Sequence, residues 1–211
     1  MKFKSADPFL SADCFAELAR LFGAPLDEAE IAALFERGHF DALQALDCDP
    51  RHAVDLRGAI AAVKSAGDAA AATSRLNSVY CRLFLGLGRT PATLPIESAH
   101  RGEGRLFQEP AAVMSEMLAA HGLRLTESCA EPPDHLAVEL SLLEQFIRLQ
   151  ASLVDIDERP AIATLRRRLV EWTPGFAEAV ALHDPTGFYA ALARILVRLL
   201  DDVALDSVSV A

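Results

Sequence analysis

Two short stretches gather the side chains best suited to chemistry, Glu131-Pro132-Pro133-Asp134-His135 and Pro95-Ile96-Glu97-Ser98. Carboxylates, an imidazole and a hydroxyl can serve acid–base catalysis, metal binding or recognition of a cationic group. Spacing argues against the first two. Adjacent residues do not face one another on a helix, so Asp134 and His135 make a poor catalytic dyad. The duplicated Glu-x-x-His of di-iron bundles is absent, and Gly86-Leu87-Gly88 stops short of a GxGxxG loop. HExxH, GxSxG and Walker-type patterns do not occur. Cys14, Cys48, Cys81 and Cys129 lie far apart, without CxxC or zinc spacing, and predict reduced thiols in a reducing compartment. No catalytic residue, metal or cofactor is assigned. A purely structural role also fits: two prolines fix the approach to a buried helix, and Asp134 offsets its dipole.

The elements around these stretches read as helices almost from end to end. Phe15, Leu18, Ala19 and Phe22 share one helical face, ended by Gly23-Ala24-Pro25. Asp27 and Gly38 are the N-cap and C′ glycine of a second helix. A short helix follows over Phe40 to Leu46, then one opened by Asp49-Pro50 that turns Val54, Ile60 and Val63 inward. Asp68 starts the next, with Leu76, Val79, Tyr80, Leu83 and Phe84 on its apolar face. From Gly86 to Glu109 glycines, prolines and mixed charge predict a long loop, of the kind that is either functional or flexible. Helix resumes from Pro110 to Gly122, and a second loop spans Leu123 to Glu131. The helix after His135 is apolar over most of its circumference and belongs at the centre of the bundle. Beyond Pro160, Arg166-Arg167-Arg168 reads as a solvated face, Trp172-Thr173-Pro174 as a break, and Phe176 to Leu182 as a separate short helix. A final helix starts at Phe188, and the terminal DSVSVA reads as frayed. The prediction is all-α: a single domain over 1–211 of about ten helices, its halves 1–122 and 132–205 joined by a hinge at 123–131.

Length and composition fit. The chain has 211 residues, 52% hydrophobic and 24% charged, enough for a core without staples and too apolar for disorder. A formal charge of −10 argues against nucleic-acid binding and favours a cationic partner. No apolar run reaches bilayer length, and the opening MKFKSADPFLSADCF lacks the pattern of a signal peptide. These readings place the chain in the cytoplasm.

Glu131-Pro132-Pro133-Asp134-His135-Leu136-x-x-Glu139-Leu140 resembles the TorD/DmsD/NarJ-type chaperones of molybdoenzymes. Tyr80-x-x-Leu83-Phe84-x-Gly86, Gly104-x-Leu106-Phe107, Trp172-x-Pro174 and Phe188-Tyr189 fit the same pattern. The resemblance runs from about Asp68 to Asp202, while the first 66 residues share only helical character. It implies a non-enzymatic helical chaperone that binds the twin-arginine signal peptide of an apo-molybdoenzyme until its cofactor is inserted. Carried over by position, the peptide-binding residues are Pro95, Glu97, Ser98, Glu131, Pro132, Asp134 and His135. Ile96 stands where some relatives carry an aromatic residue.

On this reading Glu97, Glu131 and Asp134 pair with guanidinium groups, and Leu94, Ile96, Leu106 and Phe107 receive the apolar segment of the peptide. The partners are the molybdoenzyme precursor and the molybdopterin-insertion machinery, without nucleic acid or stable membrane insertion. Alternatives are assembly of a non-exported enzyme of the nitrate-reductase type, and a nucleotide-binding regulator. Monomer and domain-swapped dimer both remain open.

Overall fold

Local signals in the sequence place most helix ends. In the computed structural model, which describes residues 7–88, 91–102, 104–126, 130–152 and 157–202, Asp27 and Glu30 form a reciprocal capping box. It starts α2 (Glu28–Arg37), which Gly38 ends with a left-handed φ of 70°. Asp7, Asp49 and Asp68 cap α1 (Pro8–Gly23), α3 (Pro50–Lys64) and α4 (Ala69–Phe84), each cap contributing about 1 kcal/mol. The chain continues through α5 (Glu97–His100), α6 (Glu109–Ala120), α7 (Leu136–Ser152), α8 (Arg159–His183) and α9 (Phe188–Asp202). A 3₁₀ helix at Leu43–Cys48 replaces the helix expected over Phe40 to Leu46. Cys129, the centre of the expected hinge and the terminal DSVSVA lie outside the described residues.

Helices distant in sequence pack together: α1 lies on α7, α3 on α9, and α8 on both α7 and α9. At their meeting point Phe22, Tyr80, Phe84, Phe176 and Tyr189 form a buried aromatic cluster. Tyr80–Phe84 and Phe84–Tyr189 are edge-to-face pairs with centroids 5.1 Å apart. The Tyr80 hydroxyl donates to the Phe22 carbonyl at 3.1 Å, so its polar end is satisfied. The aromatic residues of the sequence motif, Tyr80, Phe84 and Tyr189, therefore build core.

Three expectations are corrected. α8 runs unbroken through Pro174. An internal proline costs about 3 kcal/mol, and burial of Trp172, Phe176 and Val180 along one face outweighs it. Arg168 is buried rather than solvated, because it lies between Leu165 and Trp172 on the inward stripe. Val54 points outward at 64% exposure, one position off the stripe of Ala53, Leu56 and Val63.

Candidate functional site

The segment after α4 turns back on its own helix. Gly86 takes a left-handed φ of 68°, and the Thr93 amide donates to the Leu83 carbonyl at 2.7 Å. This return carries Pro95 and Ile96 onto the turn that precedes α7. There Ile96 and His135 form an isolated antiparallel bridge. The Glu97 amide donates to the Asp134 carbonyl at 2.9 Å, and the Leu136 amide to the Pro95 carbonyl at 2.8 Å. The two chemistry-bearing stretches of the sequence are thus stitched backbone to backbone.

Their side chains complete the clamp. Asp134 Oδ2 accepts from the Ser98 amide at 3.0 Å, so this carboxylate caps α5 rather than α7. His135 caps α7 instead: its Nδ1 accepts from the Ala137 amide at 3.1 Å. That bond requires Nδ1 to be unprotonated, and burial pushes the imidazole down to about 4. The remaining nitrogen, Nε2, lies 3.5 Å from Glu131 Oε2. His100 donates from Nε2 to the Leu94 carbonyl at 2.8 Å while its ring stacks on Trp172, 5.4 Å between centroids. The clamp therefore rests directly on the core.

Beneath it lies an ionisable cluster. Glu97 is fully buried and accepts from Arg101 at 2.6 Å and from Arg168 on its other oxygen. Arg168 also donates to the Pro110 carbonyl at 3.1 Å, tying in the start of α6. Glu139, fully buried on α7, accepts from Trp172 Nε1 at 3.1 Å and lies beside Glu97. Burial, and then the Glu97 charge beside it, hold Glu139 well above the usual carboxyl range.

The structure brings all seven sequence-predicted residues together but gives them different access. Glu97, Ser98 and Asp134 are fully buried, and His135 and Pro95 are buried as well. Only Glu131 and Pro132 are half-exposed. The expectation that Ile96 is exposed is corrected: it is buried by its pairing with His135. Phe107 is 73% exposed, with a left-handed φ of 58°, and Leu94 and Leu106 are half-buried. Sequence reasoning missed Arg168, Glu139 and Trp172 as members of the cluster. A signal existed: Arg168 and Glu139 are charged residues at apolar-stripe positions of their helices.

Among the described residues one set has metal-like geometry, Asp49, His52 and Asp202, with ligand atoms within 4.8 Å of one another. Arg51 already supplies a cation there, donating to Asp49 at 2.7 Å and to Asp202 at 2.9 Å. No helix among the described residues is long and apolar enough to cross a membrane.

A family model described as nitrate reductase delta subunit matches residues 49–178. Chaperone protein TorD of Vibrio cholerae serotype O1 is 30% identical over 198 residues, spanning 91% of this chain and 86% of that one. The TorD chaperone of Salmonella arizonae is 32% identical over 193 residues, with 88% and 86% covered. Such coverage takes in most of the first 66 residues, where the motifs alone had shown only helical character. A crystal structure from Archaeoglobus fulgidus, described as a candidate redox enzyme maturation protein, shares the fold with TM-score 0.53 at 18% identity, over 95% of this chain and 96% of that one. The chain belongs to the nitrate reductase delta subunit family, as a relative of the TorD chaperones.

Proposed function

We propose that this protein is a cytoplasmic chaperone for a molybdenum-cofactor oxidoreductase. It binds the twin-arginine signal peptide and apo-form of that enzyme and holds them until the cofactor is inserted. The observation that carries the reading is the Glu131–Leu140 motif, folded as a clamp that pins the 95–100 segment to the start of α7. No bond is made or broken in this task, so rigid presentation of a surface suffices.

Within the proposed site the seven residues divide by access. Glu131 and Pro132 meet the peptide, and the Glu131 carboxylate takes a guanidinium fork. Glu97, Ser98, Asp134 and His135 fix the shape from beneath, with Pro95 setting the approach of the loop. Phe107, Leu87 and Leu85, exposed near the segment between α4 and α6, offer apolar surface to a partly folded client. A net charge of −10 draws a basic peptide from a distance.

The test is co-purification from the source cell. A molybdoenzyme precursor with its signal peptide intact should accompany the chaperone, and capture of a non-exported enzyme would move the assignment to the nitrate-reductase type. Recovery of neither counts against the reading.

A further inference from the structure

Away from the clamp, the end of α2, the 3₁₀ helix and α3 border a cavity of about 460 Å³ to which no clamp residue contributes. That volume lies in the range of small-molecule sites. Its floor is apolar: Phe40 and Leu56 are buried and Ile60 is half-buried. Leu56, Ile60 and Lys64 follow one another a turn apart on α3, so the apolar wall ends in an ammonium group. Gly38 makes room for that group. A Cβ there would lie 2.9 Å from Lys64 Nζ, so the ammonium rests against the left-handed residue that ends α2.

The charges around the cavity do not cancel. Arg57 is matched by Asp47 at 3.5 Å. His39 and Gln44 carry no negative charge. Lys64 makes no ion pair or hydrogen bond among the described residues. The partial negative charge at the end of α2 favours the ammonium without neutralising it. One uncancelled positive charge at the end of an apolar wall is complementary to a singly charged anion on an apolar body. A phosphate ester, with close to two charges, would find no second cation, because Arg57 is already matched.

We propose that this cavity binds a small organic carboxylate, its head at Lys64 and its apolar body over Ile60, Leu56 and Phe40. The site stands apart from the signal-peptide reading. Its ligand would join α2, the 3₁₀ helix and α3, whereas the clamp joins the 95–100 segment to α7 and α8.

The experiment titrates naphthylacetate and its neutral amide against the full chain by isothermal titration calorimetry. The wild-type chain should bind the carboxylate roughly fivefold more tightly than the amide. Lys64→Gln removes the charge at an exposed position and should bring the carboxylate down to the level of the amide. Ala61→Phe fills the cavity from an exposed lining position, leaves the core untouched, and should weaken both ligands. Melting curves establish that both variants are folded. Equal affinity for acid and amide in the wild-type chain, or unchanged carboxylate binding in Lys64→Gln, overturns the assignment of a carboxylate. Binding that survives Ala61→Phe, or no saturable binding of either compound, overturns the site. The chaperone reading stands in each case.

Discussion

Two regions tie distant parts of the chain with arginine and carboxylate, and they do so under opposite conditions. In the clamp, Glu97, Arg168 and Glu139 are removed from water, and Arg168 ties both the 95–100 segment and the start of α6 to α8. In the α3–α9 seam, Asp55 meets Arg194 at 2.6 Å and also Arg198, while Arg51 bridges Asp49 and Asp202. There the arginines stay wet: Arg194 is 44% exposed and Arg51 41%. The carboxylates beneath them are buried, but the arginine ends reach water and share their partners, so each pair contributes about 1 kcal/mol or less. Buried pairs gain little over an apolar substitute, yet breaking one strands a charge. The same chemistry gives a compliant seam in one place and a rigid clamp in the other.

Removing one arginine from each region tests that contrast most strongly. Arg168→Met should cost about 3–5 kcal/mol, because Glu97 stays buried with only Arg101 beside it. Arg194→Ala should cost at most about 1 kcal/mol, since Asp55 keeps Arg198. Urea unfolding of both variants gives the comparison, and equal losses would erase the distinction.

Acid should act next on the clamp. The folded-state pKa of His135 lies below its ordinary value of 6.5, at about 4. Between those values the unfolded chain binds the extra proton, so stability falls as pH drops from about 6.5 to about 4, by on the order of 3 kcal/mol. His52 and His100, also pushed down mainly by burial, add to the same trend. His135→Asn keeps a capping acceptor without a titrating ring and should flatten part of this acid slope in melting curves taken across that range.

The smallest expected effect separates charge from shape at Asp134. Asn retains an oxygen for the Ser98 amide, so Asp134→Asn should cost less than about 1 kcal/mol. Asp134→Ala leaves that amide buried and unpaired, at about 1–3 kcal/mol. Chemical denaturation of the pair measures the difference. Equal costs would show that charge, rather than the hydrogen bond, matters there.

Helices were legible because period and caps agree locally: Asp27 with Glu30, Gly38 at a left-handed φ, and Asp49 before Pro50. The motif stretches also announced themselves by composition. What stayed hidden is tertiary. Nothing local reveals that Ile96 pairs with His135, that Asp134 caps a helix 36 residues earlier, or that Pro174 is tolerated inside α8. Three successive arginines looked like a solvated face, yet only the third falls on the stripe of Leu165 and Trp172. Position on the stripe was the better guide than residue type.

The pairing of 95–97 with 134–136 also makes the intervening chain a closed excursion, since both ends of it are fixed to the same spot. Gly102 and Gly104, both exposed, lie within it above this fastened base. A cut beside either glycine would release no fragment: the two pieces would remain docked through α7 and α8, as a nicked molecule with its clamp still assembled.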